Sequence, residues 1–204
     1  MWVVKLGGSL YGSPELRSWL EALAASGGGR VVVVPGGGPF ADQVRAAQRC
    51  GSFDDQTAHW MAILAMEQFG LMLCGLQPQL RAARDRPAIQ EILAGGGVPV
   101  WLPGAMLIED QTLPRDWSVS SDSLAAWLAR QYRARFLVLV KSIEPDDETL
   151  RARALSRRGV VDASFADRLV AAPFGVRIVG SDRHARLMSA LRQGRSPGGC
   201  VVLP

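Results

Sequence analysis

The segment Trp2-Val3-Val4-Lys5-Leu6-Gly7-Gly8-Ser9-Leu10 decides how the rest of the chain is read. An apolar run without polar alternation marks a strand covered on both faces. Two glycines follow it at once. Glycine directly after a strand lets backbone N–H groups turn toward an anion, and Ser9 is placed to cap the next turn. A single glycine turn is weak, because structural turns use glycine constantly. A second one, Pro35-Gly36-Gly37-Gly38-Pro39, follows the apolar run Val31–Val34 in the same way. Two such loops after neighbouring strands point to one sheet edge, with Gly7, Gly8, Ser9, Gly36, Gly37 and Gly38 as candidate phosphate-binding residues.

The pattern continues outward. Further apolar runs lie at Val98–Leu102, Phe136–Val140, Val176–Val179 and Cys200–Leu203. Helical periodicity lies at Pro14–Ala25, Phe40–Cys50, Gln56–Leu73, Asp122–Tyr132 and Asp182–Gln193. Strand–helix alternation predicts an α/β fold, a three-layer αβα sandwich around a mostly parallel sheet. Ligands of such sheets sit beyond the carboxyl ends of the strands. The 204 residues fit one domain with a full core. One stretch breaks the rhythm: Ser142–Gly159 is polar and arginine-bearing, without a clear strand, and reads as an excursion or lid near the site, or else as solvated surface.

The lysines are the sharpest positional signal. Of 23 basic residues only Lys5 and Lys141 are lysine, and both fall at carboxyl ends of expected strands. Arginine offers a rigid fork; lysine is a compact point charge suited to a phosphoryl group in transfer. The competing explanation is chance in an arginine-biased composition.

Other classes are excluded or disfavoured. The pattern GxxxxGK[ST] is absent, and neither glycine loop spells GxGxxG with a suitably spaced acid. Cys50, Cys74 and Cys200 are odd in number and outside any CxxC spacing, which argues against a disulfide framework or zinc site and for a reducing cytoplasm. The chain opens into a strand with no basic leader. The apolar run Trp60–Leu76 is interrupted by Glu67 and Gln68 and reads as a buried helix, not a membrane span. A net charge of +4 suits a small anionic ligand and is too scattered to argue for nucleic acid.

Lys5-Leu6-Gly7-Gly8-Ser9-Leu10, Val34-Pro35-Gly36-Gly37-Gly38-Pro39-Phe40 and Ser121-Asp122-Ser123-Leu124-Ala125-Ala126 together resemble three successive motifs of the amino acid kinase superfamily. Gly194–Val202 is similar to its closing loop and strand, so the likeness spans nearly the whole chain. Gln56–Gly70 and Trp117–Asp122 resemble a narrower branch, the aminomethylfuran phosphate kinases of methanofuran biosynthesis. The resemblance implies an ATP- and Mg²⁺-dependent phosphotransferase with a small, phosphate-bearing acceptor. It further implies an acceptor half over about residues 1–135, a nucleotide half over about 136–204, and pairing into a homodimer or higher homo-oligomer through the helix after the second glycine loop, for which the apolar Trp60–Leu76 helix offers a candidate surface. By the same resemblance Lys5 bridges donor and acceptor phosphates, and Asp122 orients the lysines.

The remaining candidates each carry an alternative. Asp122 sits behind Ser120 and Ser121 as caps and is either catalytic or a first-turn acid stabilising its helix. His59 is either an acceptor contact or a satisfied core residue. Asp42 either holds an acceptor ammonium or is a first-turn helix acid, and Trp117 either stacks on a flat ring or packs. Ser120 joins them as a substrate candidate. The chain departs from the family after the fourth strand, where Val140-Lys141-Ser142-Ile143-Glu144-Pro145-Asp146-Asp147 lacks the usual glycine turn and no lysine follows. Either Lys141 supplies the second catalytic ammonium, with Ser142, Asp146 and Asp147 as nucleotide contacts, or the nucleotide half has degenerated. The second case would leave a nucleotide- or oxyanion-binding protein, or a partner subunit, on the same fold.

Overall fold

A computed structural model describes residues 1–110, 112–142 and 144–204. In chain order its elements are β1 (Trp2–Leu6), α1 (Pro14–Ser26), β2 (Val31–Pro35), α2 (Gly38–Gly51), α3 (Asp55–Leu76), β3 (Leu80–Ala83), α4 (Arg86–Ala94) and β4 (Val98–Trp101). There follow α5 (Gly104–Ile108), α6 (Ser121–Gln131), β5 (Phe136–Lys141), β6 (Thr149–Arg151), α7 (Ala152–Arg157), α8 (Phe165–Arg168), β7 (Gly175–Gly180), α9 (His184–Arg192) and β8 (Cys200–Leu203). A short 3₁₀ turn over Gly8–Leu10 follows β1.

The strands form one eight-stranded sheet in the order β3-β4-β2-β1-β5-β7-β8-β6. All pairings are parallel except β7 with β8. The α/β, mostly parallel architecture expected from the alternation is therefore present. Successive β1 side chains point to opposite faces, as strand geometry requires. Val3 enters a core built with α4, α6, α7 and α8, whereas Trp2, Val4 and Leu6 enter a second core built with α1 and α9. The α3 helix feeds both, with Ile63 and Met66 in the first core and Phe69 and Leu73 in the second.

From β1 the chain runs outward to one side through β2, and from β5 to the other side through β7. The adjacent carboxyl ends of β1 and β5 thus mark the reversal of strand order, where open α/β sheets bind ligands. Lys5 pairs in register with Leu139 and Leu6 with Val140, so Lys141 ends its strand just beyond Lys5.

Three readings are corrected. Ser142–Gly159 contains a strand after all: β6 pairs with β8, and Ala152 and Leu155 of α7 are wholly buried, so its second half belongs to the sheet and core rather than to a lid. Ile143 in that stretch lies outside the described residues. The Trp60–Leu76 run is only partly buried, because Leu64, Leu71 and Leu76 of α3 are exposed. By length and composition α3 is also apolar enough to cross a bilayer. Finally, the second helix starts at Gly38 rather than Phe40, inside the glycine loop itself.

Candidate active site

The two glycine loops touch backbone to backbone, and this is why they are glycine. A Cβ on Gly8 would lie 2.4 Å from the amide nitrogen of Gly38, and one on Gly36 would lie 2.5 Å from that of Gly8. Gly38 also has a left-handed φ of +53°, which favours glycine. Gly37 precedes α2, and no side chain caps its first turn. The first N–H groups of a helix lack intrahelical partners, and anions are held at helix N-termini that way. Gly7 sits beside the ammonium of Lys5, with its virtual Cβ 3.6 Å from Nζ.

Across from the loops, Asp122 in the first turn of α6 stands between the two lysines. Lys141 Nζ donates to Oδ2 at 2.6 Å, and Lys5 Nζ lies 3.0 Å from Oδ1. The Lys5 contact is an ion pair outside good hydrogen-bond angles, so Oδ1 keeps accepting capacity. Lys5 and Asp122 are buried, at 5% and 4% exposure. Burial alone would raise the Asp122 pKa, but the two ammonium charges outweigh it and hold the carboxyl below its ordinary value. Burial, and next the Lys5 charge, pull Lys141 below an ordinary lysine, against the opposing carboxylates of Asp122 and Asp162.

A cavity of about 350 Å³ opens beside the loops, lined by Gly8, Ser9, Gly37 and Gly38 on one side. The four residues singled out as acceptor contacts, Asp42, His59, Trp117 and Ser120, also line it. Their states differ. Asp42 is held by Arg45 at 2.8 Å, so it is not a free carboxylate. Trp117 donates from Nε1 to Gln48 at 2.7 Å, and the Arg45 guanidinium lies over its ring at 4.8 Å. His59 is buried, and its Nδ1 lies 3.2 Å from the Asp116 carbonyl. A carbonyl only accepts, so Nδ1 carries the proton. Burial lowers the His59 pKa, so the ring is neutral near pH 7 and Nε2 remains an acceptor.

Ser120 and Ser121 do not cap α6. Ser120 makes no side-chain cap bond; Asp162 accepts instead from the Ser120 and Ser123 amides at 2.9 and 3.0 Å. The nucleotide candidates lie apart from the cavity. Ser142 is exposed and its carbonyl accepts from Ser181; Asp146 is exposed; Asp147 is exposed and pairs with Arg158 at 3.6 Å. Among the described residues no group of three or more His, Cys, Asp or Glu side chains is placed to hold a metal ion. Magnesium commonly binds through one or two carboxylates and substrate phosphates, so here it would arrive on a nucleotide's phosphates rather than in a cage of side chains.

Sequence reading passed over Arg45 and Asp162. Arg45 was within reach: it lies one helical turn beyond Asp42, on the same face of α2. Asp162 was not, since its bonds span 39 and 42 residues with no motif to announce them.

The interlocked glycine loops, the two strand-end lysines and the helix aspartate between them thus stand together at the carboxyl edge of the sheet. Residues 1–145 match the family model for the amino acid kinase family, and the chain belongs to that family. It is similar to [5-(aminomethyl)furan-3-yl]methyl phosphate kinase of Methanocaldococcus jannaschii, 24% identical over 145 residues, covering 71% of this chain and 67% of that protein. Its fold is that of uridylate kinase from Archaeoglobus fulgidus (TM-score 0.70, 18% identity, 99% of each chain). UMP kinase from Ureaplasma parvum is equally similar in fold (TM-score 0.70, 13% identity, 100% of this chain and 98% of that one).

Proposed function

We propose that the protein is a cytoplasmic, ATP- and Mg²⁺-dependent kinase that transfers the γ-phosphoryl group to a small phosphate-bearing acceptor, of the aminomethylfuran phosphate class. The observation that carries this reading is the Lys5–Asp122–Lys141 array, at 3.0 and 2.6 Å, at the adjacent ends of β1 and β5. Phosphoryl transfer asks little covalent help of a protein. It needs aligned reactants and fixed positive charge where the equatorial oxygens gather negative charge. Lys5, beside Gly7, serves donor and acceptor phosphates, and Lys141 serves the nucleotide side. Asp122 keeps both ammonium groups charged and in place. The amides around Gly8, Gly37 and Gly38 hold the phosphates.

In the step itself, an acceptor phosphate oxygen forms a bond to the γ-phosphorus while the bond to the ADP oxygen breaks. The product is a diphosphate ester and ADP. The cavity suits an amine on a flat ring: neutral His59 presents an acceptor nitrogen and Trp117 offers an aromatic surface, while Asp42 would serve the amine only on exchanging its Arg45 partner. The likeness to the aminomethylfuran phosphate kinase supports that choice. Residues 1–135 form the acceptor half and 136–204 the nucleotide half, with Ser142, Asp146 and Asp147 as nucleotide contacts. The exposed Leu64 and Leu71 of α3 support a homodimer built on that helix.

The test is ADP release with Mg²⁺–ATP against aminomethylfuran phosphate, its alcohol, UMP, isopentenyl phosphate, acetylglutamate and aspartate. Turnover on a phosphate-bearing acceptor is expected. ATP binding without transfer to any of them would overturn the kinase reading in favour of a nucleotide-binding protein, an alternative motivated by the missing glycine turn after Lys141.

A further inference from the structure

The first turn of α6 carries Asp122, yet the side chain of its own N-cap residue, Ser120, caps none of the helix amides. That task falls to a carboxylate from a distant part of the chain. Oδ2 of Asp162 accepts from the amide of Ser120 at 2.9 Å, its hydroxyl at 2.8 Å and the amide of Ser123 at 3.0 Å. The Ser123 hydroxyl donates to Oδ1. One side chain therefore satisfies an orphan donor of the helix N-terminus and sets a negative charge at its positive end. The segment bearing Asp162 is itself tied down. Ser156 donates to the Asp162 carbonyl at 2.9 Å, the Ser164 amide donates to the Ser118 carbonyl at 3.0 Å, and the Ser118 and Ser164 hydroxyls meet at 3.0 Å.

We propose that Asp162 is the positioning residue of the phosphoryl-transfer site: by gathering the first turn of α6 it fixes the Asp122 carboxylate between Lys5 and Lys141. It acts through Asp122 and touches no reacting atom. The inference rests on the kinase reading for its catalytic consequence, but its structural part does not. The clamp also couples the halves, since α6 belongs to the acceptor side and Asp162 to the nucleotide side.

The clamp has an electrostatic signature at Lys141. The charged groups facing that ammonium are Lys5 from β1, Asp122 from α6 and Asp162 from the segment between α7 and α8. Both carboxylates favour its protonated form and Lys5 opposes it. Loss of the Asp162 charge, and slackening of Asp122, both move the Lys141 titration downward. The chain has only two lysines, so protein made with lysine ¹³C-labelled at Cε gives two resolvable signals without chemical modification.

The experiment compares wild type with Asp162→Asn, nearly the same shape without the charge. Expected are a Lys141 signal titrating at lower pH and a kcat lower by about tenfold or more, with KM for both substrates little changed, as for lost transition-state alignment. The alkaline fall in activity also begins at lower pH. An unmoved Lys141 titration in folded Asp162→Asn overturns the proposal. Ser123→Ala removes a hydroxyl tie outside the acceptor cavity and keeps the Asp162 charge. A Lys141 titration moved downward with a lowered kcat then reports the slackened Asp122 itself, and an unchanged titration and kcat overturn the clamp even if Asp162→Asn does not fold. The titration needs no substrate. A signal moved in Ser123→Ala as well as in Asp162→Asn, in a protein without transfer activity, keeps the clamp and removes the kinase. A signal moved in Asp162→Asn alone reports only the lost charge and removes the clamp, as does an unmoved signal in an active enzyme.

Discussion

Asp122 holds Lys5 at 3.0 Å and Lys141 at 2.6 Å with one buried carboxylate, joining the ends of two adjacent parallel strands to the start of α6. Two ammonium groups brought together under a helix repel each other, and the carboxylate between them makes the arrangement stable. Asp122→Asn removes that charge and leaves the two cations without the carboxylate they share. Breaking a buried ion pair from one side costs about 3–5 kcal/mol, so denaturant unfolding should show a loss of that order. The folded-state pKa of Asp122 lies below its ordinary value. Its contribution is therefore complete above the usual carboxylate range and is lost as pH falls through the folded value. The stability gap between wild type and Asp122→Asn should narrow in acid.

Gly8→Ala should prevent the two loops from closing, because its Cβ would meet Gly38 backbone at 2.4 and 2.7 Å, and no side-chain motion relieves a backbone clash. Nucleotide affinity, measured calorimetrically, should collapse. Gly75 is the control: it lies in α3 with nothing within 4 Å of its virtual Cβ. Gly75→Ala should stabilise the protein by about 0.5–1 kcal/mol in thermal unfolding, as expected for glycine replaced in a helix.

His59 should titrate below its ordinary value of 6.5 in the folded protein, because burial disfavours the imidazolium. A histidine with a depressed folded-state pKa supports folding fully above the unfolded value and loses that support as pH falls through 6.5 and below. Proton NMR can follow this directly, as the chain has only two histidines. His59→Gln should flatten this part of the stability profile and weaken binding of the amine-bearing acceptor.

These outcomes rest on features of unequal legibility. The β1 and β5 strands could be read because burial on both faces forces uninterrupted apolar runs, and the lysines stand out at their ends. The β3 and β6 strands could not. Leu80-Arg81-Ala82-Ala83 carries no β-branched residue and exposes its two central side chains, and Thr149-Leu150-Arg151 is a short edge strand without a buried residue. Edge strands are specified by the neighbour they pair with, not by their own pattern. Much the same holds for the site. Lys5, Asp122 and the glycines lie in local motifs, whereas Asp162 acquires its role only when folding carries α6 against the segment after α7. Arg45 was one helical turn from a residue already under consideration, but its place over Trp117 depends on how α2 and the 117–120 segment meet.

The exposed face of α3 makes its own prediction. If Leu64 and Leu71 form the homodimer contact, light scattering should give twice the mass of the 204-residue chain, and Leu71→Glu should release monomer. A wild-type monomer would remove that proposal without touching the site.

The most direct test of the central claim is ³¹P NMR of purified protein with Mg²⁺–ATP and aminomethylfuran phosphate, run beside Lys5→Met and Lys141→Met. The account predicts coupled diphosphate signals from the product as ADP appears, with kcat lower by about 10²–10³-fold in each variant. ATP left unchanged beside intact acceptor, or a product formed as fast by both variants as by wild type, would contradict it.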